Sequence, residues 1–250
     1  MASLMKSTIF YSVHDKTVRY YHWVNVLFIM SLAILGMILL NAKTLNLSID
    51  NKITVKSVHA FIGYGFVINL SWRFFTLFFS QNPYSHWQSV LVGGKNYIKE
   101  LIQFIQQLRA GNYPFYLGYN PIARLMITLL FSVMLSQALT GLLLASTDLY
   151  WPPLGQWIIE WLAETNAANQ VHAGYMEFIQ SEHYAQMREL RKPIIWLHQW
   201  GFYGLSVLVL LHITAVLIVQ RRYEPKLIQA MLTGKKYGLT KPVDLPPTKD

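Results

Sequence analysis

The sequence contains no cysteine, and this absence excludes several kinds of site at once. Disulfides, zinc bound by thiolates, iron–sulfur clusters held by cysteine and haem attached covalently through cysteine all require the missing side chain. Any metal bound by this chain must therefore use histidine, methionine, tyrosine or carboxylate ligands.

Charged residues are also scarce, at 13% of the 250 residues, whereas 53% are hydrophobic. This composition is typical of a chain that lies in a lipid bilayer. The formal net charge of +9 raises the question of a nucleic-acid partner. The basic residues, however, flank apolar runs and form no groove with interleaved aromatics. We therefore expect these charges to lie at the membrane surface, with no nucleic acid bound.

Four apolar runs meet the length of about 20 residues that a membrane helix needs. They cover residues 20–40, 58–79, 122–145 and 194–219. Backbone groups in lipid must be paired within their own segment, so each run is predicted to be a helix. The predicted fold is all-α, an integral membrane four-helix bundle over residues 1–225. The first run is too long for a cleaved signal peptide, and none is expected.

The distribution of lysine and arginine predicts the orientation of the four helices. Basic residues concentrate before the first run, between the second and third runs and after the fourth, so these segments and both termini are predicted to be cytoplasmic. The connection 146–193 is acidic and is predicted to be periplasmic, with room for a small docking structure. Residues 226–250 form a basic cytoplasmic tail, of which 235–250 is predicted to be disordered. The expected location is the bacterial inner membrane, crossed several times.

Four histidines fall in or at the edges of the predicted helices, where an ionisable side chain is costly and indicates function. They are His22, His59, His198 and His212. His198 and His212 are separated by 14 positions, which places them within roughly 40° on one helix face and about 21 Å apart along its axis. The predicted topology puts His59 at the depth of His198, and His22 at the depth of His212. We call these the outer pair and the inner pair.

Two imidazoles that face each other across a bundle core can fill both axial positions of a haem iron, as electron transfer requires. Zinc would need three or four ligands at one depth, and a proton relay would be expected to include buried carboxylates, which these runs lack. A hydrogen bond to a neighbouring helix is the alternative for any one histidine. We predict two haem b groups, one for each pair. The other histidines are predicted to be solvated loop residues: His14, His86, His172 and His183.

Small and basic residues near the four histidines add to the haem prediction. Gly63 and Gly201 follow the outer-pair histidines on the same helix faces, where a flat porphyrin could lie close. Ordinary helix packing is the alternative, because glycine is common in membrane helices. Arg19 and Arg73 lie where they could neutralise propionates of the inner haem. Alternatively, they mark the membrane interface.

The order of these motifs resembles the cytochrome b subunit of membrane-bound nickel–iron hydrogenases, within the bacterial cytochrome b-561 superfamily. The similar segments are Val18-Arg19-Tyr20-Tyr21-His22-Trp23, His59 with Gly63, Arg73, Gly118-Tyr119-Asn120-Pro121, and His198 to His212. The resemblance implies a four-helix anchor in which the four histidines are axial ligands of haem b. It implies a periplasmic hydrogenase as the electron donor and quinone as the acceptor.

The resemblance also implies that the Gly-Tyr-Asn-Pro turn lies beside the inner haem and that Tyr119, Asn120 and Arg124 line a quinone site. The second position of this turn is commonly histidine in the family and is Tyr119 here. An alternative role for the turn is purely structural, with Asn120 as a helix N-cap and Pro121 as the first helical residue.

The predicted function is that of a di-haem b-type cytochrome, an electron-transfer subunit that passes electrons from a periplasmic partner to the quinone pool. Alternatives are the membrane subunit of a formate dehydrogenase or thiosulfate reductase, or a stand-alone quinone oxidoreductase that exchanges electrons with a soluble cytochrome. A haem-free membrane anchor or a small transporter is an alternative from a different functional class. The lack of buried carboxylates and of an internal repeat counts against transport.

Overall fold

The structure is a computed structural model that describes residues 9–164, 167–238 and 241–245. In chain order, its elements are β1 (Ile9–Ser12), α1 (Lys16–Leu40), α2 (Ile49–Phe79), α3 (Trp87–Val90), α4 (Tyr97–Arg109), α5 (Pro121–Asp148), α6 (Gly155–Leu162), a 3₁₀ turn (Ala168–Gln170), α7 (Ser181–Arg222), α8 (Leu227–Thr233) and β2 (Lys235–Gly238).

Four helices, α1, α2, α5 and α7, are long and apolar enough to cross a membrane, which confirms the four predicted helical runs. Each is longer than its apolar run, because hydropathy marks the part of a helix that suits lipid and not its ends. The Ser48 hydroxyl accepts a hydrogen bond from the Asn51 amide (3.2 Å) and caps the early start of α2. Helix α7 begins at Ser181 and continues through Pro193. The connection between α5 and α7 therefore covers only 149–180 instead of the predicted 146–193, and it contains α6 and the 3₁₀ turn.

The chain divides into two compact units, and each of the four long helices contributes to both. The terminal unit comprises Met1–Trp23, Ser71–Ser132 and Ser206–Asp250. The central unit comprises Val24–Leu70 and Val133–Leu205.

In the central unit, the segment that follows α5 folds into a small cap. Leu162, Val171 and Ile179 are buried together with Met187 from the polar start of α7. Asp148, at the end of α5, accepts a hydrogen bond from Lys56 (2.9 Å) and also pairs with Arg191. This apolar cluster explains why α7 extends beyond its apolar run, since Met187 would otherwise be exposed to water.

In the terminal unit, β1 and β2 form a two-stranded antiparallel sheet in which Ser12 pairs with Lys235. The all-α prediction is therefore wrong for these two short segments. The disorder predicted for 235–250 is also wrong for 235–238 and 241–245, while the remainder of that tail lies outside the described residues. The physical reason is that β2 takes its hydrogen bonds from β1, a partner at the other end of the sequence that no local pattern reveals.

Candidate functional site

The outer pair is assembled in the central unit by α2 and α7. The His59 and His198 ring centroids are 6.3 Å apart, with the ring planes at 74°. A metal ion lies roughly 2 Å from a ligating imidazole nitrogen. Two imidazoles that bound one iron atom from opposite sides would therefore have ring centroids about this far apart. Both rings are only partly exposed. The structure therefore brings these two predicted ligands together.

Side chains from α5 fix the position of His198. The Thr140 hydroxyl lies 2.8 Å from His198 Nδ1, and the Gln137 amide donates a hydrogen bond to the His198 carbonyl oxygen (3.0 Å). A hydrogen bond at Nδ1 holds the ring in one orientation and leaves Nε2 available to a metal. Thr140 and Gln137 thus give His198 the support that ligating histidines usually have.

Glycines surround the outer pair, but they serve different purposes. A Cβ at Gly141 would lie 3.4 Å from His198 Cε1, and a Cβ at Gly36 would lie 3.8 Å from His59 Cε1. These two glycines make room for the imidazoles. A Cβ at Gly201 would collide with the Gln137 amide, whereas one at Gly63 would meet open space. Gly201 is therefore packed against protein, and Gly63 alone of the two predicted glycines has room beside it.

The two residues of the predicted inner pair, His22 on α1 and His212 on α7, both lie in the terminal unit. His22 and His212 are near enough to interact electrostatically, and both are partly buried. His22 Nδ1 is buried without a hydrogen-bond partner in the described chain. The adjacent Trp23 packs edge-on against His22, with ring centroids 5.1 Å apart, and its indole donates a hydrogen bond to the Met231 carbonyl oxygen (3.1 Å).

The chemistry of these ligands fits haem b. Within the described residues, no group of three or more histidine, aspartate or glutamate side chains is placed to share a metal ion. Each predicted pair instead supplies two imidazoles, a donor set that would suit the iron of haem b. His59 Nδ1, like His22 Nδ1, is buried and unpartnered. Such orphaned polar atoms in an apolar bundle are costly unless the ring serves a further purpose.

The two arginines singled out in the sequence differ in their surroundings. The Arg19 guanidinium donates to the Leu232 carbonyl oxygen and so ties α1 to α8. Arg73 is 3% exposed, and its closest polar partner is the Thr76 hydroxyl at 3.5 Å. No carboxylate of the described residues forms an ion pair with Arg73. A buried guanidinium without a counter-ion is expected to receive an anion from a ligand.

In the Gly-Tyr-Asn-Pro turn, two of the three residues predicted to line a quinone site already have structural partners. Asn120 Oδ1 accepts a hydrogen bond from the Ala123 amide (2.8 Å) and caps α5, which begins at Pro121. Arg124 donates to the Leu91 carbonyl oxygen at 2.7 Å and pairs with Glu100 at 3.4 Å. The Tyr119 hydroxyl forms no hydrogen bond with the described residues and remains available to a ligand.

Tyr119 borders a cavity of about 520 Å³ in the terminal unit. The cavity is formed by the connection between α2 and α5 and by the segment 241–245. Asp244 accepts hydrogen bonds from the amides of Leu117 and Gly118, both at 2.7 Å. The C-terminal segment thus holds the turn in place.

His14 is one of two histidines whose surroundings differ from the prediction. It was predicted to be solvated, but it is 8% exposed, and its ring centroid lies 5.8 Å from that of Tyr119. The Val13 and His14 amides both donate to the Gly234 carbonyl oxygen (2.9 and 3.2 Å), so the β1–β2 sheet carries His14 inward. Gly234 has φ +82°, and a Cβ there would collide with the His14 carbonyl oxygen. Glycine is therefore required at this position.

The remaining histidines outside the helical pairs lie in different environments. His172 is exposed, as predicted, and His86 is partly exposed. His183 is hydrogen-bonded through Nδ1 to the Trp161 carbonyl oxygen (2.6 Å) and stacks on the Trp161 ring. His183 is therefore a packing residue of the cap and not a free loop side chain.

Long apolar helices with imidazoles paired between them define a membrane protein of the haem-binding helical class. More specifically, the sequence pattern of the prokaryotic cytochrome b561 family matches residues 13–234, and the chain belongs to that family. It is accordingly a membrane protein that binds haem b and transfers electrons. No curated relative matches the chain.

Proposed function

We propose that this chain is a di-haem cytochrome b of the bacterial inner membrane, and that it passes electrons from a periplasmic redox partner to the quinone pool. A nickel–iron hydrogenase is the partner that the resemblance of the motifs favours. Bound haem supplies reversible one-electron exchange at iron. The observation that supports the proposal is the 6.3 Å approach of the His59 and His198 rings in the central unit, together with the placement of His22 and His212 in the terminal unit.

The residues around each pair have distinct roles in this proposal. His59 and His198 would hold the outer haem, and Thr140 would keep His198 in one tautomer. His22 and His212 would hold the inner haem, and Arg73 would supply positive charge beside it. Two histidine ligands for each iron would favour electron transfer over oxygen chemistry.

The two ends of the conduit follow from the predicted topology. The cap after α5 carries acidic side chains, is assigned to the periplasm and offers the surface on which a donor docks. Both termini are assigned to the cytoplasm. Tyr119 and Arg73, in the terminal unit, lie where a quinone from the inner leaflet would be reduced.

Visible spectroscopy with haem quantification per polypeptide tests the proposal. Reduced-minus-oxidised spectra are expected to show a b-type cytochrome with two haems per chain. His198→Ala should lose the outer haem and His212→Ala the inner one, because each removes one axial ligand. His172→Ala, which changes an exposed loop residue, is the matched control and should keep both.

Two outcomes would contradict this assignment. A colourless wild-type protein would favour the haem-free anchor, and unchanged haem content in His212→Ala would refute the inner pair. Quinone-dependent reoxidation of the reduced wild-type protein separates a quinone-reactive subunit from one that transfers electrons only to another protein.

A further inference from the structure

His14 is a buried imidazole that neither haem pair uses. It is 8% exposed, and its Nδ1 has no hydrogen-bond partner in the described part of the chain. Leaving such an atom unpaired costs on the order of 1–3 kcal/mol, which a merely structural histidine would avoid by bonding a neighbour. Tyr119, whose ring lies beside that of His14, and Asp15, the next residue in the chain, each line a cavity of the terminal unit, and this suggests a reason for the cost.

One of these cavities lies at the connection between α2 and α5, and we call it the polar cavity after the polar side chains in its mixed lining. Its volume is about 520 Å³, and Tyr119 is one of its lining residues. The polar lining residues include Gln88, Glu100, Gln103, Gln107, Arg124 and Asp244. Such a lining suits water, so the cavity offers an aqueous approach to the Tyr119 hydroxyl.

The other cavity is a cleft between the start of α1 and the end of α2. Its volume is about 190 Å³, and it is lined by Val18, Phe75 and Phe79 together with Asp15 and Arg73. Phe75 and Phe79 are 54% and 70% exposed, as expected for side chains that face lipid. An apolar opening with a buried guanidinium inside suits a flat ring that carries carbonyl oxygens, which is the chemistry of a quinone headgroup.

His14 connects a residue that lines the polar cavity with a residue that lines the cleft. Tyr119 lines the polar cavity, while Asp15, the neighbour of His14, lines the cleft. The two ring centroids are 5.8 Å apart, and no hydrogen bond joins the two described side chains, so proton exchange between them requires a rotation of one ring or one bridging water.

We propose that Tyr119 and His14 relay protons from the polar cavity to a quinone held in the cleft beside Arg73. This inference rests on the proposed quinone reduction. Each quinone that takes two electrons from the protein also takes two protons and leaves as quinol. In each transfer, His14 gives its N–H proton to the reduced quinone oxygen and receives the Tyr119 hydroxyl proton on its other nitrogen. Tyr119 then takes a proton from the cavity. Before the second transfer, the His14 ring turns over so that its new N–H again faces the quinone.

The electrostatic surroundings of His14 suit this role. Burial is the main cause that lowers the pKa of His14 to about 4, and the cations Lys236 and Arg73 act in the same direction, as does His22, whereas Asp15 opposes them. His14 is therefore neutral at physiological pH, with one nitrogen that donates and one that accepts. Burial also raises the pKa of Tyr119. Both groups thus keep their protons until the acceptor is reduced.

Single-turnover reoxidation tests the relay. The haem-loaded protein is reduced chemically, mixed with a soluble quinone analogue, and followed by haem absorbance from about pH 6 to about pH 8. We expect a wild-type rate that changes little with pH. His14→Gln and Tyr119→Phe should lower the rate by at least roughly tenfold. The decrease in rate relative to wild type should be larger at higher pH, because protons must then arrive directly from solvent. Added imidazole should partly restore the rate of His14→Gln.

The controls separate a relay from a structural effect. His172→Gln, an exposed loop variant, should behave as wild type, and haem content should be unchanged in all variants. The affinity for a quinone analogue, measured by titration of the haem spectrum, should also be unchanged.

Three outcomes would overturn the relay or its foundation. A loss of rate that is equal at every pH and not restored by imidazole would assign His14 a structural role. Rates equal to wild type in both variants would exclude His14 and Tyr119 from the path. If the wild-type protein itself is not reoxidised by quinone, the proposed function fails before the relay is tested.

Discussion

The units that contain the outer and inner histidine pairs differ in how many of their described buried polar atoms lack a hydrogen-bond partner. In the central unit, Thr140 and Gln137 bond His198, and glycines fit closely around both rings. In the terminal unit, four buried polar atoms have no hydrogen-bond partner among the described residues; they belong to His14, Arg19, Tyr21 and His22. In the central unit, there are two such atoms among the described residues, in His59 and Arg191. The difference indicates that the outer pair is built to hold a group rigidly, whereas the inner region leaves polar atoms free for a ligand.

The largest effect is expected from removing the space around the outer pair. Gly141→Leu would push against the His198 ring, which lies 3.4 Å from the position of the added Cβ, and should abolish binding of the outer haem. Gly204→Leu is the matched control on α7, because a Cβ there meets no atom within 4 Å. Haem content per polypeptide measures both variants. Two haems retained in Gly141→Leu would show that the outer pair is as loosely held as the inner one.

A smaller effect is expected from removing the hydrogen bond to His198. Thr140→Val should weaken binding of the outer haem by about 10–100-fold, the usual cost of losing the partner that orients a ligating histidine. Thr147→Val is the matched control on the same helix, because the Thr147 hydroxyl bonds only carbonyl oxygens of α5 (3.0 and 3.4 Å). Haem retention during competition with apomyoglobin measures the difference. Equal retention in the two variants would remove Thr140 from the site.

The smallest effect is expected in the terminal unit, from neutralising the unpaired guanidinium. Arg73→Gln should lower the midpoint potential of the inner haem by roughly tens of millivolts, because a nearby positive charge favours the reduced form. Arg109→Gln, which changes an exposed residue of α4, should leave the potential unchanged. Potentiometric titration resolves the two haems. A fall in the outer potential alone would contradict the placement of Arg73 near the inner pair.

Much of this site could be predicted because helical spacing is a local property. The interval between His198 and His212 gives two ligands on one face of α7 before any contact is known. Gln137, Thr140 and Gly141 were missed, although polar and small residues at positions i, i+3 and i+4 of an otherwise apolar run already share a helix face. That pattern would have marked α5 as a partner of the outer pair.

His14 could not have been found in this way. Its burial depends on the pairing of β1 with β2, which joins Ser12 to Lys235, and on the close approach that Gly234 permits. The C-terminal tail is short, polar and rich in proline. Its composition alone therefore predicts disorder, because the strand with which it pairs is distant in the sequence.

The sequence by itself determined the membrane class, the four long helices and the four histidines within them, because hydropathy and helical period are set by neighbouring residues. The tertiary structure decided which side chains support His198, which arginine lacks a counter-ion and where His14 lies. These features depend on contacts between segments far apart in the chain, and only the packing of those segments brings the atoms within bonding distance.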